Sequence, residues 1–81
     1  MEKIITTLTH IISKLLNRDN ILLSPETTAH DVDGWDSITN MLIINEVEKV
    51  YHIKFSFRDI AHMRNVGDLC GMIKEKTSSN S

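Results

Sequence analysis

The first residues of the chain carry their aliphatic side chains on one face of a single helix. These residues recur at the spacing i, i+3 or i+4, i+7, and they are Ile4, Ile5, Leu8, Ile11, Ile12, Leu15 and Leu16. The pattern predicts an amphipathic helix from about Glu2 to Asn17 that buries this face. Because no segment of the chain has the pattern of a convincing strand, the surface that covers it must consist of other helices.

The rest of the chain predicts three more helices. The second begins at Asp36-Ser37, with Asp36 as the N-cap. A brief third helix over Arg58 to Met63 follows a capping box at Ser56-Phe57-Arg58-Asp59, and Asn65 caps a fourth. The predicted fold class is therefore all-α, a four-helix bundle with three longer helices and one short helix. Two glycines, Gly67 and Gly71, weaken the fourth helix and are expected to permit close approach of another helix.

A long loop, residues 18–35, separates the first two helices. A loop of this length in a compact domain usually indicates either a wrong assignment of its secondary structure or a functional loop. Its apolar residues are expected to pin it to the core, and they are Ile21, Leu22, Leu23 and Val32. A short helical turn is possible at Ser24-Pro25-Glu26, since proline suits a first helical position.

The chain is long enough for one small core. We expect one folded domain over residues 1–76 and a flexible polar tail over residues 77–81. The single cysteine, Cys70, excludes an internal disulfide and is expected to be a buried small hydrophobe. The N-terminal residues lack the continuous apolar segment of a signal peptide, so we expect a cytoplasmic protein with no membrane partner.

The net charge of −2 conceals an uneven distribution of charge. No Lys or Arg occurs between Asp19 and Glu48, and the seven acids of this stretch are Asp19, Glu26, Asp31, Asp33, Asp36, Glu46 and Glu48. Such a segment repels phosphate backbones and attracts basic protein surfaces, which disfavours nucleic acid as a partner and a small helical DNA-binding module as the function. A solvated acidic face without a partner explains the charges equally well.

The hydroxyl of Ser37 is predicted to lie where the loop turns into the second helix. A helix N-terminus has free N–H groups and the positive end of the helix dipole, so it favours a phosphate nearby. Asp36 would oppose a phosphate on Ser37 unless a metal or a basic group of a modifying enzyme neutralised the pair. Taken as a dipeptide, Asp36-Ser37 is explained far better by ordinary capping chemistry than by a functional role, and it gains weight only from its context.

Three segments together resemble the acyl and peptidyl carrier proteins. Gly34-Trp35-Asp36-Ser37-Ile38 is similar to the Asp-Ser-Leu attachment motif of that family. The run from Leu42 to Phe55 resembles its aliphatic, Glu and aromatic pattern, and Asn65-Val66-Gly67-Asp68-Leu69 resembles the start of its last helix. The similarity extends from the first helix to about Lys76, and the helix order is that of a stand-alone carrier.

The resemblance implies a function for Ser37. It would be the attachment site of 4′-phosphopantetheine, installed from coenzyme A by a phosphopantetheinyl transferase that recognises Asp36 as part of the motif. The arm would hold an acyl or aminoacyl group as a thioester for acyl-loading and acyl-transferring enzymes of fatty acid, polyketide or peptide biosynthesis. The resemblance thus implies a monomeric carrier with no catalytic residue, no metal and no enzymatic activity of its own.

The resemblance also implies that the second helix is the surface that partner enzymes bind. The candidate residues on it are Ile38, Met41, Leu42, Glu46 and Glu48. Ile38 stands where the family usually has Leu. Fatty-acid carriers often have acids at the positions held here by Thr39, Asn40, Met41 and Leu42. We therefore expect recognition to be more hydrophobic, as in carriers of dedicated pathways.

One alternative is an unmodified helical adaptor that binds a partner protein through its second helix. It would keep the shape of a carrier without the arm. One further point stays open in the sequence: Trp35 either covers the start of the second helix or steers the arm. The four histidines show no metal-ligand spacing and are expected to be surface or packing residues.

Overall fold

The computed structural model describes residues 2–79, and over these residues the chain is all α-helical. The four α-helices are α1 (Glu2–Leu16), α2 (Ser37–Tyr51), α3 (Phe57–Ala61) and α4 (Val66–Ser79), and a 3-10 helix, Ala29–Asp31, lies in the long loop. This confirms the predicted bundle of three longer helices and one short helix. None of the helices in this range is both long enough and apolar enough to cross a membrane.

The core forms where the apolar faces of α1, α2 and α4 meet. Its buried members are Leu8, Ile11 and Ile12 of α1, Ile43, Ile44 and Val47 of α2, and Val66, Leu69, Cys70 and Ile73 of α4, together with Ile21 and Ile53 from the connections. Each buried aliphatic side chain of this size contributes about 1.5–3 kcal/mol by leaving water. The predicted buried position of Cys70 is confirmed, and burial raises the pKa of its thiol.

Short-range capping sets the helix ends close to their predicted positions. α1 ends at Leu16 because Asn17 adopts a left-handed conformation with φ of 55°, which asparagine tolerates better than most residues. The capping box of α3 is confirmed: the amide of Asp59 donates to Ser56 Oγ at 3.1 Å, and the amide of Ser56 donates to Asp59 Oδ2 at 2.9 Å. α3 nevertheless begins and ends earlier than predicted, at Phe57 and Ala61.

The long loop differs from its prediction in two places. The segment Ser24-Pro25-Glu26, where the sequence allows a short helical turn, forms a simple turn, closed by the amide of Thr27 on the carbonyl of Ser24 at 3.1 Å, and the 3-10 helix follows it. Ile21 is buried as expected, but Leu22 is 91% exposed and does not pin the loop to the core. Leu23, the next residue, is half-buried and packs against the core, so inward and outward positions alternate along these three residues.

α4 is capped as predicted and runs further than predicted. Asn65 Oδ1 accepts a 2.8 Å hydrogen bond from the amide of Asp68, which confirms the cap. The helix continues past Lys76 to Ser79, into the segment expected to be a flexible tail, and Thr77 Oγ1 donates to the carbonyl of Ile73 at 2.8 Å. The last two residues of the expected tail, 80 and 81, lie outside the described residues.

Candidate functional site

Ser37 is the first residue of α2, and its side chain is exposed. The residue before it, Asp36, is the N-cap as predicted: its backbone is extended and its Oδ1 accepts a 2.8 Å hydrogen bond from the amide of Thr39. Among residues 2–79 the Ser37 hydroxyl has no hydrogen-bond partner. An exposed hydroxyl with no internal partner is accessible to an external reagent.

Asp36 places a negative charge beside this hydroxyl. The amide of Thr39, followed by its side chain, holds the pKa of the Asp36 carboxyl below its usual value of 3.8, so the group is ionised at neutral pH. The first turn of α2 contains no other acid. A phosphate on Ser37 would therefore be favoured by the helix N-terminus and opposed by one adjacent carboxylate, and a cation from a partner would relieve that opposition.

Gly34 brings the end of the loop against α1. Its φ of 91° lies in the region that favours glycine, and a Cβ built on it would lie 3.2 Å from Leu16 Cδ2. The amide of Asp36 then donates to the carbonyl of Gly34 at 3.1 Å. Arg18 reaches back to the same turn, where its Nη1 donates to the carbonyl of Asp33 at 3.2 Å. These contacts determine where the loop ends and α2 begins.

Trp35 covers the start of α2. Its indole Nε1 donates a 3.0 Å hydrogen bond to Asn40 Oδ1, and both side chains are half-buried. The two residues also line a small cleft of about 40 Å³, together with Thr27, Ala29, Met63, Arg64, Asn65 and Leu69. The role of Asn40 was not predicted from the sequence. The signal that could have indicated it is its position one turn into the helix, five residues after a tryptophan.

Three of the five candidate partner-binding residues lie together next to Ser37. Ile38 is 75% exposed, Met41 43% and Leu42 47%, and their i, i+3, i+4 spacing places them on one helix face. We call these three residues the apolar α2 surface. Contiguous exposed apolar side chains of this kind can mark a surface that contacts another protein.

The other two candidates, Glu46 and Glu48, are half-buried. Glu46 lies 3.7 Å from Lys49 Nζ in an exposed ion pair. Glu48 holds the link that follows α2, because its Oε2 accepts a 2.8 Å hydrogen bond from the amide of Phe55. The carboxylate of Glu48 therefore has a structural role that its position in the sequence did not indicate.

Phe57 is an exposed aromatic residue that the sequence did not single out as a candidate. It is 91% exposed at the first position of α3. Its place directly after the N-cap Ser56 does not by itself indicate exposure, because Val66 stands directly after the N-cap Asn65 and is buried. No group of three or more His, Cys, Asp or Glu within the described part of the chain could hold a metal ion.

Comparison with known proteins agrees with this geometry. The profile of the family described as "Phosphopantetheine attachment site" matches residues 6–73, a range that includes Asp36, Ser37 and the apolar α2 surface. The solution NMR structure of a holo acyl carrier protein from Geobacter metallireducens is similar over 94% of this chain and 87% of that chain, with 36% sequence identity and a TM-score of 0.88. The search of curated proteins found no match.

Proposed function

Because the chain belongs to the phosphopantetheine-attachment family of acyl carrier proteins, we propose that Ser37 is the residue to which its 4′-phosphopantetheine arm is attached. The observation that carries this assignment is the exposed, unpartnered hydroxyl at the start of α2. Its neighbours support it as well. Asp36 caps the helix without using the serine, and the helix N-terminus provides a favourable field for a phosphate.

The chemistry of attachment requires little of this chain beyond presenting one oxygen. Ser37 Oγ forms the bond to phosphorus and gives up its proton, and the bond to the nucleotide part of coenzyme A breaks in the active site of a phosphopantetheinyl transferase. Once attached, the arm supplies a thiol that holds an acyl or aminoacyl group as a thioester. We propose that this chain presents the cargo and that its partners catalyse the reactions.

The apolar α2 surface is the proposed docking site for these partners. It begins directly after Ser37 and ends at Leu42, about 1.4 helical turns from Ser37, so an enzyme that contacts it also reaches the base of the arm. Glu46 and Glu48 extend it with negative charge, which suits partners whose apolar pocket has a basic rim. We propose phosphopantetheinyl transferase, acyl-loading enzymes and acyl-transferring enzymes as the partners of a cytoplasmic monomer.

Mass spectrometry of the intact protein tests the attachment site. Incubation with coenzyme A and a broad-specificity transferase should add the mass of one phosphopantetheine. The Ser37→Ala variant should stay unmodified, whereas the Ser24→Ala variant, which changes an exposed serine of the loop, should be modified like the wild type. An unmodified wild-type protein with several transferases, or a modified Ser37→Ala variant, contradicts the assignment.

Kinetics of the same reaction test the docking surface. We expect Met41→Ser and Leu42→Ser to lower kcat/KM about tenfold, the effect of losing one well-packed apolar contact at an interface. Val50→Ser removes a comparably exposed aliphatic side chain at the other end of α2 and should have little effect. Equal losses in all three variants would mean that the apolar α2 surface has no special role.

The alternative function, an unmodified helical adaptor, predicts a different result. Such an adaptor would still bind its partner protein after Ser37→Ala.

A further inference from the structure

The two residues on either side of the first turn of α2 are joined by a side-chain hydrogen bond. Trp35 directly precedes the N-cap Asp36, and Asn40 is the fourth residue of the helix. At these two positions a pair of apolar side chains often packs together and determines the angle at which the chain enters a helix. Here the pair is polar: Trp35 Nε1 donates to Asn40 Oδ1 at 3.0 Å. We call this pair the polar staple.

The surroundings of the polar staple make its hydrogen bond costly to break. Both side chains are half-buried, and they share the small cleft with Met63 and Leu69. An indole N–H or an amide oxygen that loses its partner in such a place also loses access to much of the water that could replace it. Outward rotation of the tryptophan ring would break this hydrogen bond and leave Asn40 Oδ1 half-buried without it.

Three hydrogen bonds span the turn that carries Ser37. Besides the polar staple, the amide of Thr39 donates to Asp36 Oδ1 at 2.8 Å, and the amide of Asn40 donates to the carbonyl of Asp36 at 2.8 Å. The Ser37 hydroxyl makes none of these bonds itself. These bonds constrain the backbone of the turn, and with it the position from which the Ser37 hydroxyl extends.

We propose that the polar staple, Trp35 with Asn40, positions the Ser37 hydroxyl for phosphopantetheine transfer. This inference rests on the proposed attachment at Ser37 and adds two positioning residues to it. Neither residue touches the reacting phosphorus. They hold the turn that carries Ser37 in one orientation, so that less orientational freedom is lost when the oxygen attacks.

The position of the polar staple predicts which kinetic constant depends on it. Partner docking is assigned to Ile38, Met41 and Leu42, which are exposed, whereas Trp35 and Asn40 are half-buried beside the cleft. Loss of the staple should thus lower kcat of the transfer and leave KM for this protein nearly unchanged. A residue that only stabilises the fold would change the melting temperature without changing kcat at a temperature where every variant is folded.

Four variants and one control test the inference. Asn40→Ala removes the acceptor, Trp35→Phe keeps an aromatic ring but removes the donor, and the double variant removes both. Each should lower kcat of a phosphopantetheinyl transferase about threefold to tenfold, the factor that corresponds to one neutral hydrogen bond. Asn40→Asp keeps an acceptor oxygen and should retain most of the wild-type kcat. Asn45→Ala, an exposed asparagine of the same helix, is the control and should match the wild type.

The double variant separates a shared hydrogen bond from two independent roles. If Trp35 and Asn40 act through one bond, the double variant should be no slower than the slower single variant. Additive losses, a wild-type kcat in Asn40→Ala, or a change confined to KM would each overturn the inference. In all three cases wild-type protein would still gain one phosphopantetheine. A wild type that gains none would instead overturn the attachment at Ser37, and the inference with it.

Hydrogen exchange of the indole provides an independent readout. The chain contains a single tryptophan, so its indole N–H gives one resonance in a ¹⁵N-edited NMR spectrum. That proton should exchange more slowly in the wild type and in Asn45→Ala than in Asn40→Ala. Equal exchange in all three proteins would show that the polar staple does not form in solution, and this would overturn the inference.

Discussion

The backbone amide of Gly67 donates a 2.8 Å hydrogen bond to the carbonyl oxygen of Pro25. Its neighbour Val66 does the same to the carbonyl of Thr27, also at 2.8 Å. The first amides of a helix have no hydrogen-bond acceptor inside the helix. Two carbonyl groups of the long loop therefore accept from amides of α4 that would otherwise lack a protein partner. The loop that ends at Ser37 is thereby anchored at a second element of the bundle.

The two glycines of α4 should respond to alanine in opposite directions. A Cβ on Gly67 would lie 3.0 Å from Pro25 O and 3.2 Å from Pro25 Cβ, so Gly67→Ala must displace the loop and should lower the free energy of unfolding by about 1–2 kcal/mol. A Cβ on Gly71 meets no atom within 4 Å, so Gly71→Ala should raise it by about 0.5–1 kcal/mol. Urea denaturation of both variants measures the difference. If Gly67→Ala and Gly71→Ala stabilise the protein equally, the contact between Gly67 and Pro25 is not tight.

Two substitutions at Asp36 separate its cap from its charge. Asp36→Asn keeps an oxygen that can accept from the amide of Thr39, so its melting temperature should stay close to that of the wild type. Asp36→Ala removes the acceptor and should melt at a lower temperature. If the transferase recognises the charge, both variants should be modified at least about tenfold more slowly, as for a lost charged hydrogen bond. Modification of Asp36→Asn at the wild-type rate would limit Asp36 to capping.

His52 ends α2 in a conformation that favours glycine. Its φ is 57° and its ψ is 47°, and its amide closes the helix on the carbonyl of Glu48. His52→Gly removes the steric cost of this left-handed conformation and should raise the free energy of unfolding by about 0.5–1 kcal/mol. His62 ends α3 with φ of −88°, an ordinary value, so His62→Gly should destabilise the protein. Thermal melts of the two variants should therefore shift in opposite directions.

Acid should weaken the fold through its capping carboxylates. Three aspartates have pKa values below the usual 3.8 because their carboxylates accept hydrogen bonds near helix starts. The donors are Thr28 for Asp31, Thr39 for Asp36 and Ser56 for Asp59. Lys76 lowers the pKa of Asp59 further. The unfolded chain therefore binds more protons than the folded chain in this range. The stability that these groups contribute is present above about pH 4 and is lost as the pH falls below it.

Thermal melts between pH 2.5 and pH 6 measure this dependence. The melting temperature should fall as the pH decreases through the range near and below pH 4. Asn at the three positions keeps a capping oxygen but does not titrate, so a triple Asp→Asn variant should show a shallower decrease. Identical pH profiles for the wild type and the triple variant would mean that other carboxylates are responsible.

The fold class and the helix starts follow from local features of the sequence. Asp36, Ser56 and Asn65 each cap a helix with an oxygen that contacts an amide three residues later, so the capping signal is complete within four residues. The apolar stripe of α1 likewise indicates its own buried face. For the same reason the place of Ser37 at the start of α2 follows from its position directly after an N-cap, and the family motif around it is contiguous in the chain. Its exposure does not follow from that position, because Val66, directly after the N-cap Asn65, is buried.

Tertiary structure alone decided which residues meet across the loop. Leu22 and Ile21 are equally apolar, and only the path of the backbone places one in solvent and the other in the core. Gly67 and Gly71 are the same residue on one helix, yet only Gly67 approaches Pro25. The hydrogen bond between Trp35 and Asn40 depends on the angle between loop and helix. Such contacts depend on how helices and loops that form independently pack against one another. No single stretch of sequence contains the distances between residues of different elements.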